Sequence, residues 1–327
     1  MKICITGGAG MIGSALLRKL SKKGHEIIVI DNLWRGKVEN INTIDNWDFS
    51  KNFHNIDLSD TKNEEQLLNI IENTDVLIHL ADIVAGIGYV FNNQYEIFKI
   101  NNTINTNIFS ICSKLNIKKI LYAGTACSFP KNLQLSLTSI LKESQLFPAE
   151  PESAYGWSKL IGTMELQYMA EKYKLNVTTL MLHNVYGPYC DTDPKRSQVI
   201  PSIIRKIIEL EPNGQLDVWG SGNQGRAFLH VDDVANAFQL ALEKDEIPQI
   251  IQIGPNHCTS IKHLVNVLIN DVIMKPINVH FDTTKPEGDL GRCADYTIAN
   301  ESLGWSPQID LKEGLIDTYN WIKNKIN

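Results

Sequence analysis

The stretch Met1 to Gly13, Met-Lys-Ile-Cys-Ile-Thr-Gly-Gly-Ala-Gly-Met-Ile-Gly, constrains the rest of the chain more than any other. Ile3 to Ile5 form an apolar run too short for a helix, and Gly7, Gly8, Gly10 and Gly13 follow at once. Ser14 to Lys23 then sets Ala15, Leu16, Leu17 and Leu20 at helical spacing, so the order is strand, tight turn, helix. Glycines in such a turn let a pyrophosphate approach the N–H groups at the helix start, where the positive end of the helix dipole also lies. His25 to Ile30 reads as a second strand that delivers Asp31 to where a carboxylate would accept from ribose hydroxyls. That carboxylate would repel a 2′-phosphate, which favours NAD over NADP. The cofactor residues expected here are Gly7, Gly10, Met11, Ile12, Gly13 and Asp31.

Strands and amphipathic helices alternate from there on. Phe53 to Ile56 reads as a short strand ending in Asp57 and Leu58, placed where the adenine ring lies in such folds. Glu64 to Glu72 reads as a helix and Asp75 to Leu80 as a buried strand followed by Ala81-Asp82, with Leu80 and Ala81 expected beside the cofactor. Val84-Ala-Gly86-Ile-Gly88-Tyr-Val reads as a flexible segment, either able to close over a substrate through Gly86 and Gly88 or a plain connection. A long helix from Tyr95 to Leu115, the strand Lys119 to Gly124 and Thr125-Ala-Cys127 come next. The pattern is that of a doubly wound parallel α/β sheet covered on both faces, with ligands at the carboxyl ends of its strands. After the strand Val177 to Leu182 the alternation loosens into Pro, Gly and polar residues. That shift divides the chain into a cofactor domain at 1–185 and a smaller substrate part at 186–327, some of whose segments return to the sheet.

A net charge of −6 provides no broadly basic surface for nucleic acid. Neither a leader segment nor an apolar run of bilayer length is recognisable, so a cytoplasmic setting without a membrane partner is expected. The six cysteines are scattered and lack close pairs, which predicts neither a disulfide framework nor a metal site.

Tyr155 and Lys159 lie four residues apart, on one face of a helix opened by Ala149-Glu-Pro-Glu-Ser-Ala. A phenol with a pKa of about 10 is a poor base at neutral pH, but a neighbouring ammonium and a nicotinamide cation both favour the phenolate. A drop of about three units corresponds to about 4 kcal/mol. Tyr155 could then accept a hydroxyl proton while hydride leaves the same carbon for the cofactor, which both residues would border.

Thr6-Gly-Gly-Ala-Gly-Met-Ile-Gly13, Asp31, Thr125 and Tyr155-x-x-x-Lys159 together resemble the extended short-chain dehydrogenase/reductases, the nucleotide-sugar epimerases and dehydratases. Within them, Leu141-Lys-Glu-Ser, Phe147-Pro-Ala-Glu-Pro, His183-Asn-Val-Tyr-Gly-Pro188 and Leu311-Lys-Glu-Gly-Leu are most similar to the GDP-mannose 3,5-epimerase group. Val218-Trp-Gly-Ser-Gly and Phe228-Leu-His-Val-Asp-Asp233 are similar to the GDP-L-fucose synthases. The resemblance implies NAD as cofactor, a GDP-linked sugar as substrate and a homodimer paired through the helices from Tyr95 and Tyr155. It implies that Thr125 holds the oxidised carbon's oxygen and that Cys127 is an acid/base on one ring face. Asn184, Arg226 and Arg292 match residues that hold the nucleotide diphosphate. For the opposite face the epimerases use a lysine, whose place Lys195 fits approximately, and the fucose synthases a histidine, whose place holds Gln198. Dehydratases carry Asp-Glu directly after the threonine, where this chain has Ala126-Cys127. A 4-epimerase, a 4-keto-sugar epimerase/reductase and a non-catalytic NAD-binding regulator remain open on the same residues.

Overall fold

In the computed structural model, which describes residues 1–115, 117–285 and 287–326, the glycine turn joins β1 (Lys2–Thr6) to α1 (Met11–Ser21). The strands β2 (Glu26–Asp31), β3 (Phe53–Asn55), β4 (Val76–His79) and β5 (Lys119–Thr125) follow. Among the described residues they form one seven-stranded parallel sheet with Asn176–Leu182 and Ile250–Ile253, in the order Ile250–Ile253, Asn176–Leu182, β5, β4, β1, β2, β3. Register pairs Ile3 with Ile27 and with Val76. Strands apolar on both sides need cover on both sides, and they have it. On one face α1 and the helix Val231–Glu243 bury Leu16, Leu17, Leu20 and Phe238, joined by Trp305. On the other, the helices Glu64–Ile71, Gln94–Lys114 and Ala154–Tyr173 bury Leu67, Ile108, Phe109 and Leu166.

Ile250–Ile253 lies in the C-terminal third of the chain yet pairs with Asn176–Leu182 at the sheet edge. The remaining C-terminal segments build their own core. In the helix Val199–Glu209 the buried residues Ile200, Ile203, Ile204 and Ile207 repeat at one-face spacing and meet Leu264, Leu268, Leu315 and Ile322. Asp233 pins this part to the sheet: its carboxylate accepts from the Gln308 and Ile309 N–H groups at 3.0 Å each, and its carbonyl accepts from Trp305 Nε1 at 2.9 Å. No helix among the described residues is long and apolar enough to cross a membrane.

Three features depart from the sequence reading. Residues 83–92 contain a helix, Ile87–Asn92, rather than a loose connection, because Tyr89 packs edge-on against Trp34 at 5.9 Å and Val90 is buried. The polar stretch after Asp31 is packed over the glycine turn: Lys37 N–H and Asn40 Nδ2 both donate to the Ala9 carbonyl, and Trp47 Nε1 donates to Ile27 O. The cysteine expectation is corrected by Cys258 and Cys293, which form a disulfide with Cα atoms 5.5 Å apart. Thirty-five residues separate them, and only the folded chain brings them together.

Candidate active site

Gly7 sits at φ +70°, and a Cβ there would lie 2.8 Å from the Ala81 nitrogen, so the turn and the end of β4 touch backbone to backbone. This places Leu80 and Ala81 against the glycine turn. Gly10 begins α1 and no side chain caps it, which leaves the N–H groups of the first helical turn, Met11, Ile12 and Gly13, facing the space above the turn. Asp31 accepts from Ala9 N–H at 3.0 Å and Leu33 N–H at 2.8 Å. Burial raises its pKa against the pull of those two bonds, and each oxygen keeps a further lone pair for a ribose. Asp57 turns the chain by accepting from Ser59, and Leu58 is buried beneath. An uncapped helix start, a cradle that no side chain could enter and a carboxylate at the end of β2 together fit a dinucleotide.

Tyr155 and Lys159 emerge from the start of the helix Ala154–Tyr173, which Ser153 caps by accepting from Gly156 N–H. Both are buried. The electrostatics differ from the sequence reading, in which Lys159 draws Tyr155 toward phenolate. Lys159 Nζ is 3.0 Å from Asp82 Oδ2 and 4.2 Å from the centre of the Tyr122 ring. Burial opposes its charge, but Asp82 and then Tyr122 outweigh that and raise its pKa. Burial, followed by the charges of Asp82 and Cys127, holds the Tyr155 pKa well above the ordinary phenol value, against the pull of the Thr125 side chain. Burial and these negative charges together favour neutral phenol. Beneath the pair runs a buried chain of contacts: Thr6 Oγ1 to His79 Nδ1 at 2.6 Å, His79 Nε2 to Asn105 Oδ1 at 3.1 Å, and Asn105 Nδ2 to Tyr122 Oη at 3.2 Å. Burial and the nearby Lys159 charge push His79 down to about 3, so this imidazole is neutral.

Thr125 ends β5 and accepts from Cys127 N–H at 3.2 Å, opening the short turn Ala126–Ser128. Cys127 is a free thiol, half-buried beside Tyr155. Two arginines lie on its other side. Arg226 Nη1 donates to the carbonyls of Gly225 and Asp289 at 2.7 Å each, and burial followed by the Arg292 charge lowers its pKa to about 10. Arg292 pairs with Asp289 at 3.4 Å, while its buried Nε has no partner among the described residues. Burial opposes the Arg292 charge, but Cys127, Asp289 and Glu152 raise its pKa nonetheless. Asn184 opens a two-strand pairing with Phe228–His230, and its N–H donates to the Ala227 carbonyl at 3.1 Å, one residue after Arg226.

Gly86 and Gly88 are held by protein. Gly86 N–H donates to Arg196 O at 2.8 Å, and a Cβ on Gly86 would lie 2.4 Å from Ser197 O, so only glycine allows that approach. A Cβ on Gly88 would lie 3.3 Å from the Trp219 ring. Lys195 lies exposed on the turn that follows Asp193, whose carboxylate accepts its backbone N–H at 2.9 Å. Behind that turn Asp191, almost wholly buried, stands between Arg196 Nε at 3.2 Å and Arg35 Nε at 3.8 Å. Arg35 Nη1 also donates to Val84 O, and Arg196 Nη1 to Trp34 O.

Sequence reasoning gave no role to Asp82, Arg35, Asp191 or Arg196. For Asp82 a signal existed, an acidic residue directly after Leu80-Ala81 at the carboxyl end of a sheet strand. For the other three the chain offers none, since the cluster joins residues over 150 positions apart.

Known proteins agree with this architecture. GDP-mannose 3,5-epimerase of Arabidopsis thaliana is 31% identical over all of this chain and 83% of its own length. GDP-L-fucose synthase 1 of the same plant is 29% identical over 100% of this chain and 94% of its own length. The crystal structure of UDP-glucose 4-epimerase from Thermotoga maritima, solved with UDP-glucose, superposes with a TM-score of 0.85 at 29% identity and covers 100% of both chains. A family model described as the NAD dependent epimerase/dehydratase family matches residues 3–254. With that match over most of its length, and with a cradle of the right form, this NAD-dependent chain belongs to the nucleotide-sugar epimerase/dehydratase family of extended short-chain dehydrogenase/reductases.

Proposed function

We propose that this enzyme epimerises a GDP-linked manno sugar at C3, C5 or both, in the manner of a GDP-mannose 3,5-epimerase, through a transient 4-keto sugar. The observation that carries the reading is Cys127, a free thiol beside Tyr155 and Thr125 with two arginine charges behind it. Gly7, Gly10, Met11, Ile12, Gly13 and Asp31 hold NAD, with Asp57, Leu58, Leu80 and Ala81 lining its path. When bound, NAD supplies the hydride acceptor at C4 and gives the hydride back. Tyr155 takes the C4 hydroxyl proton and later returns it, and Thr125 steadies the oxygen. Once C4 is a carbonyl the protons on C3 and C5 become acidic, and the Cys127 thiolate removes one from its side of the ring. Lys195 donates from the other side. Arg226, Arg292 with its unpartnered Nε, and Asn184 bind the diphosphate, a task suited to planar cationic forks.

A 4-epimerase is the second reading, and the position of Lys195 favours it. The side chain is exposed, and a 4-epimerase needs no acid there. Incubation with GDP-mannose in D2O decides between them: NMR is expected to show deuterium at C3 or C5. Inversion at C4 without carbon-bound deuterium would replace the leading reading with the second.

We also propose a homodimer through the helices Gln94–Lys114 and Ala154–Tyr173. They leave Tyr95, Phe98, Trp157, Ile161 and Tyr168 exposed, apolar side chains that a second copy would cover. The protein is expected to sediment as a dimer at micromolar concentration and Ile161→Glu as a monomer. A monomeric native protein would refute this arrangement.

A further inference from the structure

We infer that Asp82 is a positioning residue for the Tyr155–Lys159 pair, holding the lysine ammonium by a buried ion pair and thereby fixing the pH at which Tyr155 can work as a base. The inference rests on Tyr155 as the proton acceptor proposed above.

The geometry singles Asp82 out. Its carboxylate meets Lys159 Nζ at 3.0 Å, with the lysine side chain 1% and the aspartate side chain 10% exposed. The backbone on either side of Asp82 is fixed. Leu80 N–H donates to Thr6 O at 3.1 Å, which anchors the preceding residues to β1. On the other side Asn101, itself buried, grips both faces of Ile83, accepting from its N–H at 2.7 Å and donating to its carbonyl at 3.2 Å. The same amide donates to Ser158 Oγ at 3.3 Å, one residue before Lys159. One asparagine thus ties the strand end that carries the carboxylate to the helix that carries the ammonium. This is a built arrangement rather than a surface ion pair, and losing one partner of a buried pair leaves the other charge uncompensated.

Asp82 therefore acts on Tyr155 twice, through its own negative charge and by answering the positive charge of Lys159. Both effects favour the phenol. The other groups that act on Tyr155 include Tyr122 and Thr125 from β5, Cys127 from the turn after it and Arg35 from the loop after β2, with Lys159 four residues on along the same helix. Asp82 is the charge that weighs most on Tyr155, so its removal has a defined sign: Tyr155 must deprotonate at lower pH.

The test is the titration of Tyr155 in NAD-loaded protein made with tyrosine labelled with carbon-13 at Cζ, the signal being assigned by its absence in Tyr155→Phe. In Asp82→Asn the Tyr155 resonance is expected to titrate on the order of one pH unit or more below its native value. Asp82→Glu, which restores the charge, is expected to bring it back toward native. Asp82→Ser serves as the neutral variant if the asparagine protein does not fold. With an active substrate, the limb of the rate profile that rises with pH shifts to lower pH by the same amount. An unmoved Tyr155 titration in the neutral variants, or a glutamate variant that behaves like asparagine, overturns the inference. Because the NMR titration requires no sugar, it stands even if GDP-mannose is not turned over. Normal turnover with an unmoved titration sinks the Asp82 role alone.

Discussion

Replacing Tyr155 by phenylalanine is expected to leave NAD bound and to lower turnover on the order of 10² to 10⁴-fold. The hydroxyl is the one group removed, and the ring keeps its neighbours Ile83, Val90 and Ile97, so neither the helix start nor the cofactor cradle loses packing. The loss falls on proton transfer. Turnover is compared with native enzyme at saturating sugar nucleotide, with bound NAD quantified after denaturation. A phenylalanine variant that turns over at the native rate removes Tyr155 from the mechanism.

Cys127→Ala is expected to separate oxidation from epimerisation. Tyr155, Thr125 and the NAD cradle are untouched, so a 4-keto sugar should form and persist, while deuterium uptake from D2O at C3 or C5 falls by orders of magnitude. The residue is half-buried and small, so its truncation opens little space in the core. Lys195→Ala then reports on the opposite face: exchange at the position that Cys127 reaches continues, and inverted product does not appear. Native epimerisation by Cys127→Ala would make the thiol structural and give the lead to a 4-epimerase.

The parts of this molecule legible in its sequence are those whose information is local. A strand, a glycine turn and a helix within twenty-one residues can be read because periodicity and turn chemistry act over a few positions, and β1 and α1 fall where the pattern puts them. Tyr155 and Lys159 are neighbours because four residues make about one helical turn. The ionic character of that pair is not local. It depends on Asp82, seventy-seven positions upstream, which arrives by the pairing of β4 between β1 and β5. The same holds for the Cys258–Cys293 disulfide and for the meeting of Arg226 with Arg292, where chain-distant segments converge through register and packing. The packed stretch after Asp31 was hidden for another reason. Its composition is that of a loop, yet backbone carbonyls at Ala9 and Ile27 recruit its polar groups and Trp47.

The Arg35–Asp191–Arg196 cluster makes distant stretches of the chain answer to one carboxylate. It fastens together the loop beyond Asp31, the segment around Val84 and the first residues of the C-terminal part. Taking that carboxylate away would leave two guanidinium groups uncompensated, a loss of about 3–5 kcal/mol when one partner of a buried pair is removed. The three segments hold their places jointly, so a change in one is felt by the other two.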